Sequence, residues 1–172
     1  FGKWRDGAVP VKRIAAVEPQ VKPALYLIDR PDAPQSVLFA GVAASPKTSP
    51  DEYAVDVMNT ILGGSFTSRV NLNLREAKHW SYGARTSLTD SPGVRAFLCV
   101  APVQADKTVE ALRELDREFR GIVAERPPTE AERMKAVTDL TLRLGGQWET
   151  VGAVAGVLEQ MVRFSLPESH FR

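Results

Sequence analysis

The chain has 172 residues, 44% of them apolar, and its 22 basic and 21 acidic side chains leave a formal charge of +1. That length and apolar content suffice to close a core in one domain. The balance of charge excludes a polyelectrolyte binder: basic and acidic residues alternate through EALRELDREFR (Glu110 to Arg120), a solvated helix face with no phosphate-tracking stripe, so no nucleic-acid partner is expected. No run approaches the roughly 20 apolar residues of a membrane helix, and no transmembrane segment is expected. The chain opens without Met or a signal-peptide pattern, which reads as a piece of a longer polypeptide.

Residues 1–22 carry Gly2, Gly7, Pro10 and Pro19 among mixed charges with no sustained period, the composition of a linker. ALYLI (Ala24 to Ile28) reads as a strand, and PDAP (Pro31 to Pro34) as a turn into a second strand, Ser36 to Ala44. That second strand is almost continuously apolar, which predicts a central position with both faces covered. Ser49, Pro50 and Glu52 form a helix-start signal, with Ser49 as cap and Glu52 reaching back to it. Ala54, Val57, Met58, Ile61 and Leu62 then supply a helical apolar face up to Gly63.

Gly63 and Gly64 are suited to end that helix in the left-handed conformation. Ser65, Thr67 and Ser68 are candidate caps for a second, short helix whose buried face carries Val70 and Leu74, with Arg75 just beyond. From Trp80 the period changes to two, placing Trp80, Tyr82, Ala84, Thr86 and Leu88 on one side of a strand. SPG at Ser91 to Gly93 is a turn so short that the following strand, Val94 to Ala101, must pair antiparallel with its predecessor. Cys99, the single cysteine, lies in the apolar run AFLCV and is expected to be an inert buried thiol.

Val109, Leu112, Leu115, Phe119 and Ile122 define a long amphipathic helix stopped by Pro127 and Pro128. Thr129 and Glu132 open another with a capping box, and Met134, Val137, Leu140 and Leu144 continue its apolar side. A last helix runs from about Trp148 to Phe164, its Gly152, Ala153, Ala155 and Gly156 allowing a neighbour to approach closely. Strands first and helices afterwards predict an α+β domain, with helices packed on an antiparallel or mixed sheet.

The chemistry on offer is narrow. His79 and His170 are the only histidines and stand far apart, so the segments around them cannot build a helical zinc site. His79 is either a polar loop residue or part of a cleft lining. The serines near Gly64 read as caps, with no Ser–His–Asp arrangement beside them. LGGS follows a helix, which argues against a phosphate-binding loop. By pattern alone, Arg75 is a surface salt-bridge partner and Tyr82 a strand core aromatic.

The combination LGGSFTSR, LRE and YGA, with Arg75 and Tyr82 seven apart, resembles the C-terminal domain of M16 (pitrilysin and processing-peptidase-like) zinc metallopeptidases of bacterial type. YLIDRPDAPQS (Tyr26 to Ser36) resembles the opening of that domain, and FGKW (Phe1 to Trp4) the last helix of the one before it. The likeness covers nearly the whole chain; His79, Trp80 and Val70 depart from the commoner residues at their positions. It implies residues 1–22 as interdomain linker and end of a preceding domain, and 23–172 as the metal-free C-terminal domain with the LuxS/MPP-like metallohydrolase fold, cut short before a last helix and strand. It further implies substrate binding and catalysis by Arg75 and Tyr82, both facing a zinc site held by an HxxEH-bearing domain or partner subunit.

No cofactor is then expected in this segment, which alone should be inactive, and zinc is expected in the partner. The remaining expectations are a peptide substrate, homo- or hetero-oligomeric assembly, and either the bacterial periplasm or the cytoplasm. The competing expectation is a catalytically silent M16-like scaffold or interaction domain, which would need neither Arg75 nor Tyr82.

Overall fold

A computed structural model describes residues 22–171 together with Lys3, Arg5, Gly7, Ala8 and Pro10. The expected linker and the FGKW segment therefore lie largely outside the described residues. The architecture is α+β: a three-stranded antiparallel sheet with helices packed on it.

The sheet order is β1 (Gln35–Ala44), β3 (Arg95–Gln104), β2 (Arg85–Leu88), so β3 is central. β1 runs against β3 from the Gln35–Gln104 pair to the Ala44–Arg95 pair, and β2 pairs Arg85 with Val100 through Leu88 with Phe97. Alternate β3 residues Cys99, Ala101 and Val103 are almost completely buried, as period-two geometry requires. The expectation of a central apolar strand at residues 36–44 is thus corrected. β1 is an edge among the described strands, and Val37, Phe39 and Val42 are about two-thirds exposed. Position follows from connection: the turn at residues 91–93 gives β3 one neighbour, and the Ala105 N–H donating to Pro34 O closes it onto the other. Apolarity does not distinguish the two places.

ALYLI is likewise not a strand. Leu25, Tyr26, Leu27 and Ile28 are each at least 83% exposed and have no sheet partner among the described residues. Strand propensity needs a ladder to express itself. The turn after it does form, with the Ala33 N–H bonded to Arg30 O and Asp32 at φ 61°.

Helix α1 (Glu52–Asn59) continues as a π-helical turn, Thr60–Gly64. Neither glycine is left-handed, contrary to expectation. Gly63 is needed for proximity instead: a Cβ there would lie 2.4 Å from Thr86 Oγ1 and 2.6 Å from the Thr86 backbone nitrogen. Asp51, not Ser49, takes the cap position, and it makes no side-chain cap bond. Glu52 turns inward to Arg95, where Nη1 donates to Oε1 at 2.9 Å and Nη2 to Oε2, while Arg95 Nε bonds Ser45 O at 2.7 Å. Both residues of this pair are buried.

Helix α2 (Arg69–Asn71) runs on as π-helical Leu72–Ala77, and Val70 and Leu74 are buried as expected. Helix α3 (Thr108–Val123) turns Ala111, Leu115 and Ile122 inward, leaving Val109 and Leu112 exposed. Helix α4 (Glu130–Gly146) has the capping box of Thr129 and Glu132, but Met134, Val137 and Leu144 of its expected apolar face are exposed and Ala136 is its buried residue. Helix α5 (Val151–Phe164) begins three residues later than expected, capped by Thr150. A Cβ added at Gly152 or Gly156 meets nothing within 4 Å, so among the described residues no neighbour packs closely against these two glycines. Among the described residues no helix is long and apolar enough to cross a membrane.

Candidate functional site

The stretch from Gly63 to Ala84 is fastened to the domain from three sides. Thr86 Oγ1 donates to Asn59 Oδ1 at 2.7 Å beneath Gly63, locking the end of α1 to β2. Asn71 spans the motif: its Nδ2 donates to Phe66 O at 2.6 Å and its Oδ1 accepts from the Ala84 N–H at 3.2 Å. Arg69 reaches across to α4, with Nε and Nη2 each 2.7 Å from the two oxygens of Glu132, and it also bonds the carbonyls of Arg126 and Pro127. The Arg69 hydrogen bond is the main reason the Glu132 carboxyl is held down at about 2. The same carboxylate accepts from the Thr129 N–H, so one residue caps α4 and receives α2. Asn73 Nδ2 donates to Glu114 and Glu118 of α3, and its bond lowers the Glu114 carboxyl below the ordinary range.

Arg75 sits in the frame so built, within the π-helical segment, and is treated differently. Its guanidinium lies over the Phe66 ring, 4.3 Å from Cζ to the ring centroid, and Nη1 is 2.9 Å from Glu76 Oε1. That Nη1 is buried and lacks an aligned hydrogen bond. Arg75 is therefore positioned and partly neutralised, while its directional donors are left unused among the described residues. The salt-bridge expectation read from pattern alone is met by Glu76.

Tyr82 departs from its expected place as a strand core aromatic. β2 begins only at Arg85, and Tyr82 is 91% exposed, with no hydroxyl partner among the described residues. Its backbone is nonetheless held. Ser81 Oγ donates to Pro102 O and accepts from the Gly83 N–H at 3.1 Å, and the Ala84 N–H is tied to Asn71. Upstream, the Trp80 N–H bonds Leu74 O and its carbonyl accepts from the Gln104 N–H. These bonds suspend the chain between two core elements, which interrupts the alternation that would have turned the ring inward. Arg75 and Tyr82 share no hydrogen bond or ring contact. His79, at φ 57°, lies exposed between them, and its carbonyl accepts from Gln104 Nε2.

The donor set does not fit a metal: among the described residues no group of three or more His, Cys, Asp or Glu is placed to hold one. Cys99 is buried as expected, and burial pushes its thiol up to about 11, too high for a useful thiolate. A cleft of about 30 Å³ between the GGS segment and α4, lined by Thr60, Ser65, Glu132 and Lys135, is water-sized. The arrangement can thus offer fixed hydrogen-bond donors to something bound from outside. Sequence reasoning gave no role to Phe66, Arg69, Asn71 or Arg95. The available signals were an aromatic among small polar residues for Phe66 and an apolar-flanked arginine for Arg95.

The profile of the family described as Peptidase M16 inactive domain matches residues 1–140. Among solved structures, the peptidase M16 inactive domain from Pseudomonas fluorescens aligns with a TM-score of 0.72 and 25% identity, over 79% of this chain and 32% of that one. A protease from Helicobacter pylori aligns at 0.70 and 18% identity, over 79% and 33% of the two chains. The periplasmic protease PqqL from Escherichia coli aligns at 0.62 and 16%, over 78% and 15%. At their identities the last two show a shared fold. The chain thus spans about a third of the length of the first two structures. No curated protein matches it. With four-fifths of the chain inside the family profile and the fold in agreement, the chain belongs to the peptidase M16 inactive-domain family.

Proposed function

We propose that this chain is the metal-free C-terminal half of an M16-type zinc peptidase, residues 23–172 forming the domain and 1–22 the approach from a preceding one. In this reading it closes a substrate chamber opposite an HxxEH-bearing domain or subunit, which carries the zinc and performs the hydrolysis. The contribution of this chain is to hold the peptide and to meet charge that develops on it. Arg75 offers its unused guanidinium donors to a substrate carbonyl or carboxylate. Tyr82 offers one phenolic donor to the oxygen that becomes negative as the peptide carbonyl is attacked.

The observation that carries the reading is the state of these two side chains. Arg75 is pinned by Phe66 and Glu76 yet has no aligned hydrogen bond, and the Tyr82 phenol projects from a tethered backbone with nothing to bond. Nη1 is enclosed beside Glu76, so the donors Arg75 can turn to a ligand are its Nε and Nη2 N–H groups, which make no hydrogen bond among the described residues.

The test is steady-state kinetics on a peptide substrate with the chain assembled to its HxxEH-bearing partner. Tyr82→Phe keeps the ring and should lower kcat by about 10²–10³-fold, the range for removal of one oxyanion donor. Arg75→Ala should raise KM as well. Zinc content and melting temperature should stay at parent values in both. If both variants cleave at the parent rate, the pair has no part in catalysis, and a silent scaffold domain becomes the better reading.

A further inference from the structure

We infer that Phe66 is a positioning residue for the substrate-binding guanidinium of Arg75, a role that rests on the function proposed above for Arg75. The ring is 68% exposed, so it contributes little to the core, yet its backbone carbonyl is held. Asn71 Nδ2 donates to Phe66 O at 2.6 Å, and the Ser68 N–H closes a turn on Ser65 O around it. A large aromatic fixed at its backbone and left in the open is a poor choice for folding.

What the ring does touch is Arg75. With Cζ 4.3 Å from the centroid, the cation lies against the ring's electron-rich face, within the distance at which such contacts attract. Glu76 Oε1, 2.9 Å from Nη1, holds the guanidinium at a second point. Two contacts restrain a long side chain, and neither uses the Nε and Nη2 donors that a substrate would meet. The ring thereby removes rotamer freedom that Arg75 would otherwise lose on binding substrate.

Phe66→Leu in the assembled enzyme should raise KM about two- to fivefold with kcat unchanged, the effect of losing a partly exposed cation–aromatic contact. Phe66→Trp keeps a π face and should restore the parent KM. In an Arg75→Ala background, Phe66→Leu should add nothing, because its effect passes through Arg75. Three results overturn the inference: the same fold change with and without Arg75, which makes the ring a direct substrate contact; failure of Trp to rescue; or a fall in kcat and melting temperature together, which makes Phe66 structural. If Arg75→Ala raises KM while Phe66→Leu does not, the inference fails and the reading of Arg75 stands. If neither substitution changes KM, both fail.

Discussion

Arg69 and Arg75 stand six residues apart in one helical stretch and are used in opposite ways. Arg69 directs its guanidinium at a carboxylate and two carbonyls, joining α2 to the start of α4. Arg95 does the same for Glu52 and Ser45 O deeper in the domain. Arg75 rests on a ring and beside a carboxylate but makes no aligned hydrogen bond. Donors satisfied within the fold hold the fold, while the Arg75 Nε and Nη2 groups, which enter no such bond among the described residues, are the ones its proposed role would use. Arginine content alone does not tell the two apart.

Stability measurements can break that contrast. Arg95→Met removes both hydrogen bonds to the buried Glu52 carboxylate, leaving it Lys47 Nζ at 3.8 Å, and should cost about 3 kcal/mol by denaturant unfolding. Arg69→Ala removes a partly exposed ion pair and two carbonyl bonds and should cost about 2–3 kcal/mol. Arg75→Ala should cost less than about 1 kcal/mol, since it loses only the ring contact and an unaligned ion pair. An Arg75→Ala penalty equal to that of Arg69→Ala would make Arg75 a structural residue and remove the basis of the proposed function.

Gly63→Ala tests the frame that carries both arginines. The added Cβ meets the Thr86 side chain and backbone nitrogen well inside contact distance, and the expected cost is about 1–3 kcal/mol. Thr86→Ala should not rescue it, because the backbone nitrogen remains. Full rescue would show that the obstacle was the side chain and that the helix–strand approach is adjustable.

The smallest effect is the response to acid. Glu132 is held at about 2 against an ordinary value of 4.5, so in the folded state it remains ionised where the unfolded chain takes up a proton. The stability it contributes is complete above about pH 4.5 and is lost as the pH falls toward 2. Melting temperatures across that window should therefore fall less steeply for Glu132→Gln than for the parent. Equal slopes would mean that the Arg69–Glu132 contact is too well solvated to couple to folding.

Much of the fold was legible in the sequence because it depends on local chemistry. The Thr129–Glu132 capping box, the buried Val70 and Leu74, the turn before β3 and the burial of Cys99 each follow from a few neighbouring residues. The candidate pair was legible only as a motif; its environment was not. Tyr82 fits the alternating pattern of a buried strand residue, yet the bonds of Ser81 to Pro102 and of Ala84 to Asn71 hold it outside the sheet. Glu52 satisfies a capping pattern, yet it serves Arg95, 43 residues away.

The sequence by itself determined the α+β class, most helix positions, the antiparallel β2–β3 hairpin and the identity of the motif, since periodicity, caps and turn residues act over a few positions. Only the tertiary structure decided which strand is central, why Gly63 must lack a side chain, and which arginine spends its hydrogen-bond donors on the fold and which does not. Those outcomes depend on groups brought together from distant parts of the chain, and a hydrogen bond or close approach between them leaves no period in the sequence.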